Sequence, residues 1–316
     1  MQILITGGCG FIGRAASRAL RERGHDIRLL SSRRSGVQNG VPVVRGNVRD
    51  PASLVAAMEG VEGVVIAHQF PGFPIEKPRA HQTFREVDAE GAANVIGAFK
   101  AHRRPRHLVY LSGAAVREDM AGAHPGIDAK LAAERYVRES GIPWTVLRAS
   151  IVYGPGDHYF SRLAEMIVQG PVVPVFGDGR ALSSPIHIDD LAQAVAASMD
   201  DPRAQDALLD ACGPNALSTN ATLDLLMSVL GQRRPVLHLP VGLMNAIALV
   251  LEQLPDPPLS RGLIAFSRFD NTSQGLNADA LLGLDFRTVD EGVRQVYARL
   301  RAGDSSRGNK GTKSPQ

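Results

Sequence analysis

The sequence has few cysteines, few lysines, a single tryptophan and no long hydrophobic run. Its two thiols, Cys9 and Cys212, form neither metal-ligand nor redox spacing, so no metal site and no disulfide framework are expected, and the setting implied is a reducing cytoplasm. The longest apolar stretch, Leu239–Leu251, is broken by Pro240, Gly242 and Asn245 and falls short of the roughly 20 residues of a membrane span. A buried helix is expected there rather than one lying on a membrane. The first apolar stretch begins at Ile3 and runs into a glycine motif, which leaves no room for a signal peptide. Strong net charge is also missing. The formal net charge is +3, and Ala302–Gln316 carries +2 of it (Arg307, Lys310 and Lys313 against Asp304), leaving the body at +1. No basic face, and so no nucleic-acid partner, is expected. Of 35 basic residues, 30 are arginine; the lysines are Lys77, Lys100, Lys130, Lys310 and Lys313.

What is present is a globular composition, 44% hydrophobic and 21% charged, long enough for one large domain or two modest ones. Short apolar runs at Gln2–Thr6, Asp26–Leu30, Val41–Arg45, Gly63–Ala67, His107–Leu111 and Trp144–Arg148 read as strands. Helical spacing lies between them at Phe11–Arg23, Pro51–Glu59, Phe84–His102 and Ile127–Ser140, with Asp50-Pro51 as a helix-opening pair. This alternation predicts an α/β fold, a doubly wound parallel sheet over residues 1–153 with a late strand at Ala207–Ala211. A smaller, mainly helical substrate domain is expected over 154–301, with helices at Ser161–Gln169, from Asp189, from Ser218 and at Asp290–Arg301. The tail 302–316 reads as disordered.

Thr6-Gly7-Gly8-Cys9-Gly10-Phe11-Ile12-Gly13 places Gly7-x-x-Gly10-x-x-Gly13 between a strand and a helix. Gly7 permits a tight turn, Gly10 a close backbone approach to a pyrophosphate, and Gly13 tight helix–sheet packing. The helix N-terminus offers free N–H groups to the phosphates, so a dinucleotide is the expected ligand. The second strand ends Leu30-Ser31-Ser32-Arg33-Arg34. No carboxylate is present there to meet a ribose 2′-hydroxyl, and Arg33 and Arg34 can bind a 2′-phosphate. This favours NADP, with NAD as the alternative.

The glycine motif resembles that of the extended short-chain dehydrogenase/reductase superfamily. The similarity continues through Gly46-Asn47-Val48-Arg49-Asp50, Val87-Asp88-Ala89-Glu90-Gly91 (where the similar proteins carry Asn-x-x-Gly), Arg148 with Tyr153-Gly154-Pro155-Gly156-Asp157, and Ile186-His187-Ile188-Asp189-Asp190-Leu191-Ala192. It covers roughly residues 1–195. The resemblance implies a Rossmann sheet, adenine contacts at Asn47 and Val48, and a crevice flanked by Phe11, Ile12, Ala67 and His68. Leu254–Ser260 through Phe269-Asp270-Asn271 further resembles an atypical branch of epimerase/dehydratase-like proteins that includes the nucleotide-carrying accessory subunit of respiratory complex I.

The reaction centre implied by the resemblance is Ser/Thr with Tyr-x-x-x-Lys. Lys130 fits the lysine, but Gly126 stands where the tyrosine should be, and Ser112 falls one residue before the expected serine position, which aligns with Gly113. In similar enzymes the tyrosine trades a proton with a substrate oxygen while the lysine lowers its pKa and holds the nicotinamide ribose. Three readings stay open: an NADP-dependent oxidoreductase with another proton donor, a cofactor-holding module without turnover, and a sugar-nucleotide epimerase or dehydratase. For the first, Lys130 is the leading donor, with burial beside a cationic nicotinamide expected to bring it toward neutrality. His124, Tyr153, His68 and His187 follow. Arg180 is a candidate contact for a substrate phosphate in the third reading. The substrate is an unidentified small molecule, expected at Phe70–Pro74, Tyr153–Phe160 and the C-terminal helices, and a homodimer is compatible with the sequence.

Overall fold

The computed structural model describes residues 1–72, 75–101, 105–252, 254 and 260–298. Seven strands occupy the first half: β1 (Gln2–Thr6), β2 (Asp26–Ser31), β3 (Gly36–Gln38), β4 (Val41–Arg45), β5 (Gly63–Ile66), β6 (His107–Gly113) and β7 (Trp144–Ala149). With Ala207–Ala211 they form one sheet, in which Ala207–Ala211 is followed by β7, β6, β5, β1, β2, β4 and β3. All neighbours are parallel except β3 and β4. The strand order reverses at β1, and the glycine motif lies at the carboxyl end of that strand, where open α/β sheets bind ligands.

Period-two alternation sends β1 side chains to opposite faces. Ile3 and Ile5 join a core with α1 (Phe11–Glu22) and α6 (Ile188–Asp200). Leu4 joins the opposite core with α3 (Glu90–Lys100) and α4 (Pro125–Arg138). Tyr110 and Val146 point to this second face, while Val109 and Leu147 point to the first. α2 (Pro51–Val55) opens on Asp50, whose side chain accepts from the Ala52 N–H. α5 (Tyr159–Gln169), α7 (Thr219–Leu230) and α11 (Val289–Tyr297) enclose a separate apolar cluster around Tyr153 and Phe160. α10 (Ala278–Leu282) returns to the first core through Ala278 and Leu282.

Three departures from the sequence reading have physical causes. The edge strand β3 was not expected; it joins β4 through Asn39-Gly40, both at positive φ (49° and 75°), the geometry of a two-residue hairpin turn. The helix expected from Phe84 opens as a π-helical turn, Arg85–Ala89, before α3, which puts Val87, Asp88 and Ala89 in succession into the interior. The apolar stretch forms α8 (Val241–Leu251), but only Met244 and Ala248 are buried, in a small cluster with Ile264 of α9 (Arg261–Phe266). Leu243, Ile247, Leu249 and Val250 are exposed, so the expected buried helix is corrected. Most of Leu254–Ser260, the ends of the helices expected to reach His102 and Arg301, Phe73 and Pro74, and the tail 302–316 lie outside the described residues. Among the described residues no helix is long and apolar enough to cross a membrane, and no acidic, histidine or cysteine cluster could hold a metal ion.

Candidate active site

The glycine turn is built by exclusion of side chains. Gly7 has φ +64°, and a Cβ there would lie 2.6 Å from the Ala67 carbonyl oxygen; one on Gly13 would lie 2.5 Å from the Gly7 oxygen. Gly10 caps α1 without a side chain, and the first turn of α1 holds no acidic residue. The first N–H groups of α1 therefore meet no competing carboxylate, and the residues present fit a dinucleotide's pyrophosphate.

Along the neighbouring strand ends, Ser31 closes β2 and its hydroxyl accepts from the Arg33 and Arg34 N–H groups at 3.3 and 3.2 Å. Both arginine side chains belong to exposed residues. Asn47 turns its own chain: its Oδ1 accepts from the Arg49 N–H, and its N–H donates to Ser53 Oγ. The Val48 carbonyl accepts from Asn94 Nδ2. Phe11 and Ile12 pack against the core on the α1 face of the sheet, and the Ala67 N–H donates to Thr6 Oγ1.

The ionisable candidates are not equivalent. Tyr153 is fully buried, donates to the Thr288 carbonyl at 3.4 Å and lies against Phe160; burial pushes its hydroxyl up, far from any exchange near neutrality. The expectation that it meets substrate is corrected: it is a core residue. His187 caps α6 by accepting from the Asp189 N–H and stands edge-on to Tyr153. His68 is bonded at both ring nitrogens, Nδ1 to Thr6 Oγ1 at 2.8 Å and Nε2 to the Val87 carbonyl at 3.0 Å. A carbonyl only accepts, so Nε2 carries the proton. Burial, with the Lys130 charge, holds this ring's pKa down to about 4. It ties β1 to the π-helical turn. Arg180 is exposed beside Asp178.

At the N-terminus of α4, Gly126 is closely packed. His124 caps the helix, its Nδ1 accepting from the Gly126 N–H at 2.9 Å. A Cβ on Gly126 would lie 3.1 Å from that Nδ1 and 3.2 Å from the Phe84 ring. Phe84 packs in turn on Phe70, with ring centroids 4.7 Å apart. Burial lowers the His124 pKa. Ser112 is committed elsewhere: its hydroxyl donates to Glu134 Oε1 at 2.6 Å, and Glu134 is gripped by Arg148 from β7 through two hydrogen bonds.

Lys130 is left. It is half-buried on α4, with Nζ 5.8 Å from the Tyr110 ring centroid. Asp88 is buried nearby, its Oδ1 accepting from the Phe70 N–H at 2.6 Å. The site residues missed from the sequence are Asp88, Tyr110, Glu134 and Phe84, whereas Phe70 falls within the expected substrate stretch Phe70–Pro74. For Asp88 a signal existed, a carboxyl at the Asn position of the Asn-x-x-Gly segment; for the others none did.

Residues 3–208 match the family model of the NAD dependent epimerase/dehydratase family. A 2-alkyl-3-oxoalkanoate reductase of Stenotrophomonas maltophilia is 32% identical over 218 residues, 61% of this chain and 64% of that protein, so the match spans less than two thirds of the relative. A UDP-glucose 4-epimerase of Corynebacterium glutamicum is 30% identical over 232 residues, 61% of this chain and 69% of that protein. The crystal structure of a Thermus thermophilus UDP-glucose 4-epimerase complex with NAD superposes with a TM-score of 0.72 at 21% identity, covering 96% of this chain and 100% of the other, a likeness of fold. With the glycine turn, the sheet order and the family match in agreement, the chain belongs to the NAD-dependent epimerase/dehydratase family of the short-chain dehydrogenase/reductase superfamily.

Proposed function

We propose that this protein is an NADP-preferring reductase of carbonyl or enone compounds in which Lys130 takes over the part of the missing tyrosine. The observation that carries this reading is the contrast within one helix turn. The space at Gly126 is filled by Phe84 and His124, whereas Lys130 is half-exposed and, among the described residues, makes no hydrogen bond. The glycine turn and the first turn of α1 hold the pyrophosphate, and Arg33 and Arg34 hold a 2′-phosphate. When bound, the reduced cofactor supplies a hydride to an electrophilic carbon. Lys130 holds the ribose hydroxyls and gives a proton to the substrate oxygen that gains charge; in an epimerase proper that exchange rests on a tyrosine this chain lacks. Reductases among the similar proteins support the reading, including the oxoalkanoate reductase and a ceramide reductase of Caulobacter vibrioides, 30% identical over 200 residues.

NADPH oxidation across a panel of 3-oxo acids, ketones and enones tests it, and turnover on at least one class is expected. The filled space at Gly126 also favours a second reading, a module that holds NADP without turnover. NADPH binding with no oxidation of any panel member would establish that reading instead.

A further inference from the structure

We propose that the flank of α1 carries a second anion site, separate from the dinucleotide crevice, which takes a small ligand bearing two or more linked phosphates. A cavity of about 400 Å³ lies there, within the size range of small-molecule sites. Its origin is topological. A parallel pair such as β2 and β4 is ordinarily joined through a crossover helix, but residues 32–40 carry only the short strand β3. No helix therefore stands between β2 and β4 to close the sheet face beside α1, and the hairpin forms one wall of the cavity instead. Of the residues that flank the dinucleotide crevice, only Phe11 also lines this cavity.

The lining is rich in donors. Arg14, Arg18 and Arg21 stand at i, i+4 and i+7 on α1, so their side chains form one row about 10 Å long. Neighbours hold each guanidinium in place. Arg14 donates to the Cys9 carbonyl at 3.0 Å, Arg21 to the Asn39 carbonyl at 3.4 Å, and Arg18 to the Asp189 carboxylate. Each bond uses one of the five N–H donors of an arginine, and the three residues are exposed. Three guanidiniums against the one carboxylate of Asp189 leave two positive charges in the lining. The Gln38 carboxamide belongs to it as well, with its Oε1 buried and without a hydrogen-bond partner among the described residues, a polar group that the protein itself leaves unsatisfied. Guanidinium forks bind phosphate oxygens in bidentate fashion. A row of this length is longer than a single phosphate and suits linked ones.

The test is a binding measurement without turnover, so it is decided independently of the reductase reading. Sodium triphosphate and, separately, ATP are titrated calorimetrically into the full chain without magnesium and in the presence of NADP, which competes for the glycine turn. A dissociation constant below about 1 mM is expected for at least one of them. Arg18→Ala/Arg21→Ala should weaken that binding at least about tenfold, because charge-assisted hydrogen bonds are lost, and should leave the affinity for NADP within about twofold. Asp189→Asn removes the opposing carboxylate and should tighten the binding by about two- to fivefold. Equal affinities for the two probes identify the linked phosphates alone as the ligand, whereas tighter binding of ATP identifies a nucleotide. Absence of binding at about 5 mM of either probe, or binding that the double arginine variant leaves unchanged, overturns the proposal.

Discussion

Glu134 accepts a 2.6 Å hydrogen bond from the Ser112 hydroxyl, so the serine nearest the expected reaction centre is bound into the sheet–helix interface. The same carboxylate takes both hydrogen bonds of the Arg148 fork. Its side chain is 3% exposed and that of Arg148 16%. Arg148→Met leaves this carboxylate buried without its cation and should cost roughly 3–5 kcal/mol in urea unfolding. Ser112→Ala removes one hydrogen bond, should cost about 1 kcal/mol, and should leave the rate at saturating substrate within about twofold of wild type. A large fall in that rate would restore Ser112 as a catalytic residue.

A tyrosine introduced at position 126 should not give a working site. Gly126→Tyr must push its Cβ against His124 and Phe84, and overpacking of this kind costs about 1–3 kcal/mol. The double variant with Phe84→Ala should tolerate the tyrosine better than the sum of the single changes predicts, by roughly 0.5–3 kcal/mol. Additive stabilities would show that Phe84 does not crowd position 126.

Acid should destabilise the fold before the carboxylates titrate. His68 and His107 are held near 4, mainly by burial, against 6.5 for a free ring, and His124 and His187 shift the same way. Their contribution is fully present above the unfolded value and is lost as pH falls toward the folded one, because only the unfolded chain takes up protons in between. Between pH 6.5 and 5, each ring held near 4 should lower the unfolding free energy by up to about 1.4 kcal/mol per pH unit. His107→Gln should flatten the measured slope; an unchanged slope would mean that this ring is protonated in the folded protein.

NADPH should raise the melting temperature more than NADH. At about 100 times the dissociation constant a ligand adds ~2.7 kcal/mol, which a melt resolves readily. In Arg33→Ala/Arg34→Ala the two shifts should become equal. A larger shift with NADH in the wild type would contradict the 2′-phosphate assignment.

The sheet was legible because strand alternation and the glycine turn are local signals. Gln2–Thr6, Val41–Arg45 and Ala207–Ala211 have the expected bounds. The β3 hairpin is also written locally, in Asn39-Gly40, but a strand of three residues is too short to show alternation. The site was legible only in part. Lys130 and Gly126 stand out by spacing, but Tyr153 reads as a loop residue and is core, because α11 closes over it from 135 residues away (Thr288 accepts its hydroxyl). Asp88 could not be placed from helical period, since the π-helical turn changes which residues face inward.

The central claim is that Lys130 does work a tyrosine does elsewhere, and single-turnover reduction by NADPH in Lys130→Met tests it most directly. With nucleotide and substrate saturating, the rate constant of hydride transfer should fall at least about 100-fold, the range of a lost general acid. A variant that binds NADPH more weakly but reacts at the wild-type rate once saturated would contradict it, leaving Lys130 a ribose contact alone.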